Sequence, residues 1–79
     1  MNMAEKHPIA LKIEKRKQVE ARTGLSRSSI YQKVAEGTFP KPIRLSAQSV
    51  GWLSHEIDEW IEQRIRDSRP VDKEVANDQ

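Results

Sequence analysis

The sequence predicts a small α+β domain, a winged helix-turn-helix of three helices with a short β-hairpin wing, on three observations. The corner Thr23-Gly24-Leu25-Ser26 joins two short helical stretches. A proline-stiffened segment, Phe39-Pro40-Lys41-Pro42, then separates the second stretch from two β-prone runs. An amphipathic helix beginning at Ser54 closes the order. With 79 residues, 35% of them hydrophobic, the chain has room for one domain with a thin core.

Residues 1–8 are polar, end at Pro8 and read as a loose arm; 9–67 form the winged-helix domain, and 68–79 a polar tail containing Pro70 and the run Asp72 to Gln79. Ile9-Ala10-Leu11-Lys12-Ile13 alternates apolar with small or polar side chains, which predicts a short strand. A first helix follows from Lys15 or Arg16 to Thr23, with Val19 and Ala21 or Thr23 facing inward. Gly24 supplies the positive φ that stops it, and Ser26 caps the next helix.

That second helix runs over 27–36 and ends at Gly37. Leu25 before the cap and Ile30 form a hydrophobic staple, and Ile30 with Val34 continues a narrow apolar stripe. Arg27, Ser28, Ser29, Gln32 and Lys33 are left outward, a set of donors and small hydroxyls suited to base edges rather than the Glu and Lys mixture of a structural surface helix. The prolines push their predecessors to extended geometry. Ile43-Arg44-Leu45 and Val50-Gly51-Trp52-Leu53, separated by Ser46 to Ser49, then predict the wing hairpin. In the third helix, Ser54 is the expected cap, His55-Glu56 occupy the first turn, and Ile57, Trp60, Ile61 and Ile65 share one side. Trp52 and Trp60 are expected in the core.

The formal net charge is only +2, but it is unevenly placed. Lys12, Lys15, Arg16, Lys17, Arg22, Arg27, Lys33, Lys41 and Arg44 face three acidic residues in that span, Glu14, Glu20 and Glu36. From Glu56 to Asp67 the balance reverses, with Glu56, Asp58, Glu59, Glu62 and Asp67 against Arg64 and Arg66. One face is thus suited to phosphate and another repels it. With no cysteine there is neither a disulfide framework nor a thiolate site, and a reducing cytoplasm is the expected compartment. His7 and His55 lack companions at ligand spacing, so no metal is expected. No apolar run is long enough to span a membrane, and the first residues lack the apolar stretch of a secretory signal. Ser26, Ser28 and Ser29 have no nearby histidine base and no glycine-rich phosphate loop occurs, so neither an enzyme, a cofactor nor a small-molecule substrate is expected.

The candidate partner is double-stranded DNA. Arg27, in the first turn after the corner, is the candidate for bidentate contact with guanine or for a phosphate. Ser26, Ser28 and Ser29 either reach phosphate or bond locally to the first turn. Tyr31 can offer its hydroxyl to phosphate while its ring leans on the core, Gln32 can read adenine, and Lys33 can reach the backbone. Lys15-Arg16-Lys17 opposes the dipole of its own helix, a local cost that favours a phosphate-facing role. Lys41, Arg44 and Gln48 are the candidates from the wing.

The stretch RTGLSRSSIYQKVAEGTFPKPIRLSAQSVGWLSHEIDEWI resembles the AlpA family of small phage and prophage regulators, over about Ile13 to Ile61. The likeness lies in TGLSRSSIY, then G-x-FPKP, then VGW, then an acidic-start helix ending in D-x-W-I. It implies a winged helix related to excisionase and MerR DNA-binding domains, with the second helix in the major groove and the hairpin on adjacent backbone or minor groove. It also implies a transcriptional regulator of a mobile element; an excisionase that bends DNA is the alternative, and a protein-interaction adaptor using the acidic third helix is a third reading from another class. Two positions depart from the family pattern. Glu20 stands where an apolar or small side chain is common, and is expected to turn outward to Lys17 or to shift the helix. Gln48 replaces an arginine at the wing tip, which moves weight onto Lys41 and Arg44. With no heptad extension after Arg66, a monomer, or a weak cooperative oligomer on DNA, is expected.

Overall fold

The computed structural model describes residues 10–69; the expected arm at 1–8 lies outside them, as does the expected tail at 68–79 apart from Ser68, the last residue of the third helix, and Arg69. The elements are β1 (Ile13–Glu14), α1 (Arg16–Thr23), α2 (Arg27–Glu36), β2 (Ile43–Ser46), β3 (Ser49–Leu53) and α3 (Ser54–Ser68). The strands form one antiparallel sheet in the order β1-β3-β2, with β2 and β3 as the hairpin wing. This is the three-helix winged arrangement that the sequence predicts.

The corner between α1 and α2 is built as expected, with one addition. Gly24 takes φ 77°, a left-handed conformation that side chains resist, and its N–H donates to the Glu20 carbonyl at 2.8 Å. Thr23 turns out to stitch the corner: its hydroxyl donates to the Val19 carbonyl at 2.8 Å and accepts the Leu25 N–H at 3.2 Å. Ala21 is exposed, so Val19 alone carries the buried side of α1.

The core takes one residue from each helix, one from the connecting loop and one from β3: Val19 from α1, Ile30 from α2, Phe39 from the loop, Trp52 from β3 and Ile57 from α3. Both tryptophans fasten the loop as well as filling space. The Trp52 indole donates to the Pro40 carbonyl at 2.8 Å and the Trp60 indole to the Thr38 carbonyl at 2.9 Å, while Phe39 stands edge-on to both rings. The Phe-Pro-Lys-Pro segment is therefore held by two indole hydrogen bonds rather than by regular structure, which fixes where the wing begins.

Four expectations are corrected. The strand expected over 9–13 is Ile13–Glu14 instead, because its partner β3 ends at Leu53 opposite Ile13. Earlier residues have no strand backbone to meet, the Lys12 carbonyl accepts the Ser54 N–H at 2.8 Å, and Leu11 is 76% exposed; Ile9 is outside the described residues. Ser54 does not cap α3: Leu53 holds that position, and the Ser54 hydroxyl donates to Glu14 Oε2 at 2.6 Å. The helix starts one residue earlier than expected, so Ser54 is its first helical residue and its hydroxyl is turned toward the β1 carboxylate. Ile65 is 44% exposed, because α3 runs on past the body that covers Ile57. Glu20 does turn outward, but to Arg16 at 2.5 Å, one helical turn back, and not to Lys17.

Candidate nucleic-acid interface

The start of α2 is set by Ser26, whose hydroxyl accepts the Ser29 N–H at 3.2 Å and donates to the Ser29 hydroxyl at 3.1 Å. Of the two readings open for these serines, local bonding is the one seen for Ser26 and Ser29. Arg27 and Ser28 stay exposed. The helical repeat then makes two rows of residues four apart, Arg27 with Tyr31 and Ser28 with Gln32. Gln32 is partly occupied by Glu36, its amide donating at 3.2 Å. Lys33 is half-buried further round, its carbonyl accepting the Thr38 N–H at 2.9 Å.

Three elements meet beside the Arg27 row. A hollow of about 450 Å³ lies between the start of α1 with Lys15, Arg16 and Lys17, the α2 residues Arg27 and Tyr31, and the wing residues Gln48, Ser49 and Val50. Tyr31 is 38% exposed and its ring lies 6.1 Å from the Trp52 ring, tilted by 58°. Its ring is thus braced on the core, and the residue forms part of the wall of the hollow. The wing tip reaches this place because the hairpin closes on two residues, Ala47 and Gln48, and carries a bulge between Arg44 and Ser46 that bends β2. Arg44 is paired with Val50, so it projects to the hollow's side of the hairpin, one strand further out.

Electrostatics sorts the cations of the basic stretch into two groups. Ion pairs among the described residues join Arg16 to Glu20, Arg22 to both Glu14 and Asp58, and Arg64 to Asp67. Arg22 is a structural clamp: Glu14, only 9% exposed, lies 2.5 Å from it and also takes the Ser54 hydroxyl, so β1, α1 and α3 are tied at one point. Hydrogen bonding to Asp58, and after it to Glu14, raises the Arg22 pKa against the opposite pull of partial burial. Lys15, Lys17, Arg27, Lys33 and Arg44 have no carboxylate partner among the described residues.

Lys41 also has no carboxylate partner among the described residues, but it stands away from the basic hollow. It lines a different hollow, with Glu56, Glu59 and Trp60, on the acidic side of the molecule. The structure therefore brings together Arg16, Lys17, Arg27, Tyr31 and Gln48 of the expected residues, keeps Ser26, Ser28, Ser29 and Gln32 close by along α2, and separates Lys41 from them. Ser49 is a lining residue the sequence reading passed over. A two-residue turn would have identified it as the first residue of the returning strand. Among the described residues no group of three or more His, Asp or Glu is arranged to hold a metal, and no helix is long and apolar enough to cross a membrane.

The sequence is similar to known proteins over most of the described residues. The family described as Prophage CP4-57 regulatory protein (AlpA) matches residues 12–65, which take in every strand and nearly all of α3. The chain is 38% identical over 63 residues to the DNA-binding transcriptional activator AlpA of Escherichia coli (strain K12), covering 72% of this chain and 90% of that protein. It is 43% identical over 42 residues to the uncharacterized protein ORF88 of Enterobacteria phage P4, covering 53% of this chain and 48% of that protein.

Proposed function

The chain belongs to the AlpA family of prophage regulatory proteins, and from that premise we propose that it is a sequence-specific, double-stranded-DNA-binding transcriptional regulator of a phage or mobile element. The observation that carries the reading is the hollow in which α1, α2 and the wing tip meet, lined by cations of which Lys15, Lys17 and Arg27 have no carboxylate partner among the described residues. In this reading α2 enters the major groove with Arg27 and Ser28 leading, Gln32 follows one turn later, and Lys15 and Lys17 hold phosphate on one flank. Tyr31 and the wing residues Gln48 and Ser49 bound the same groove edge, with Arg44 beyond them. The protein acts by binding in the cytoplasm and needs no catalytic group. Contact with phosphate makes affinity fall steeply with salt, while base contacts add preference for one sequence.

The test is fluorescence anisotropy on duplexes taken from the element that encodes the chain, across a range of salt, followed by footprinting on the tightest fragment. Protection over a promoter supports regulation. Protection over an attachment site with bending of the DNA replaces it with the excisionase reading. Absence of salt-sensitive binding at low ionic strength sinks both and leaves the protein-interaction reading.

A further inference from the structure

The sheet has two unlike faces. Trp52 and Val50 project to the core and the basic hollow, so their neighbours along β3, Gly51 and Leu53, project the other way. Ile13 is paired with Leu53 and Ile43 with Gly51, and paired residues share a face. Leu45, at the bulge, joins them: a Cβ placed on Gly51 would lie 2.5 Å from Ile13 Cγ2 and 3.1 Å from Leu45 Cδ1. Ile13, Ile43 and Leu45 stay 45%, 37% and 42% exposed. Half the exposed large apolar side chains of the described residues thus sit on one face, turned away from the basic hollow.

This face runs into the hollow of about 580 Å³ between Ile43, Leu53 and Trp60, where Lys41, Glu56 and Glu59 also line the wall. None of these three charged groups has an ion-pair partner among the described residues. We propose that the face docks a second copy of this chain about a twofold axis. A twofold contact must be self-complementary, with residue i meeting j and j meeting i. A patch with an apolar centre and unpaired charges of both signs at its margin meets that condition: Lys41 of each copy faces Glu56 and Glu59 of the other. The acidic members exclude nucleic acid as the occupant. Both basic hollows remain open when the two copies are joined.

A stable interface takes about 800 Å² from each partner, whereas a patch of this kind supplies a few hundred. The free dimer is therefore weak, and two copies held on one DNA molecule gain from their high effective concentration. Only that reinforcement rests on the DNA-binding reading. Sedimentation of the full chain from micromolar to millimolar concentration should show a monomer passing to a dimer. Lys41→Glu, or Glu56→Lys with Glu59→Lys, should weaken association by about tenfold, because either change turns every Lys41–carboxylate attraction across the twofold into a repulsion. Combining all three changes in one chain should restore it. Leu45→Glu, checked for folding by circular dichroism, should abolish association yet leave single-site duplex binding intact. A wild-type chain that stays monomeric to millimolar concentration, free and on a two-site duplex, overturns the proposal and gives the face to a different protein. So does a triple variant that fails to recover. A chain that dimerises but ignores duplex DNA keeps this contact and removes the DNA reading instead.

Discussion

Three arginines of the basic stretch carry the same charge and have different fates. Arg16 is held by Glu20 and Arg22 by Glu14 and Asp58, while Arg27 is exposed with no carboxylate partner among the described residues. Arg27→Ala is therefore expected to weaken specific duplex binding by roughly 1 to 3 kcal/mol and to relax preference at one base position. Titration of specific and random duplexes checks it; equal losses on the two make Arg27 a phosphate anchor. Arg22→Ala should do the opposite, lowering stability by about 1 to 3 kcal/mol with no change in the salt dependence of DNA binding, because it strips a partner from the nearly buried Glu14. A flattened salt slope in a folded Arg22→Ala chain sinks the clamp assignment. Arg22's pKa is raised on folding, so its stabilisation is complete below the ordinary arginine value and is lost only above it, beyond any ordinary working pH. Sequence distinguishes Arg27 by its place after a corner. It does not distinguish Arg22, whose partners lie 8 and 36 residues away.

At the scale of elements, the helices and the hairpin were legible because their signals are local: glycine at φ 77°, a serine cap for α2, prolines that forbid helix. What was not legible depended on where a distant partner stops. β1 begins at Ile13 because β3 ends at Leu53, and α3 begins one residue early, at Ser54, whose hydroxyl is held by Glu14 of β1. The wing is the clearest case. Lys41 and Arg44 looked equivalent along the chain, but Lys41 lies with Glu56 and Glu59 while Arg44 shares the side of Val50. Lys41→Ala should therefore leave the slope of log affinity against log salt unchanged, Arg44→Ala should flatten it by up to about one contact, and Gln48→Arg should steepen it. A Lys41→Ala chain with a flattened slope would return that lysine to the DNA surface. The VGW motif also finds its reason here, since any side chain at Gly51 meets Ile13 in the next strand. Gly51→Ala is expected to cost about 1 to 3 kcal/mol of stability by overpacking, read from a denaturant melt.

For the whole molecule, five buried side chains have to hold six elements together. A domain of this size has only about 0.05–0.15 kcal/mol of stability per residue, so one core side chain can decide whether it folds. The sequence treats the two tryptophans alike; the structure ranks them. Trp52 is completely buried and touches the rings of Tyr31 and Phe39 as well as the loop carbonyl of Pro40. Trp60 is half-buried, with one side against Phe39 and the other under the guanidinium of Arg64, 5.4 Å from the ring centre. Trp52→Ala should cost about 3 to 5 kcal/mol and leave the chain largely unfolded, whereas Trp60→Ala should cost less and leave a folded chain with a loosened loop before the wing. Because Trp52 also braces Tyr31 beside the basic hollow, Trp52→Phe, which keeps most of the volume, should give a folded chain whose duplex affinity falls more than that of Trp60→Ala. Paired denaturant melts and duplex titrations decide the matter. If Trp60→Ala is the more damaging change in both, the order of the two rings is reversed, and the hold on the loop, not the brace behind the hollow, governs binding.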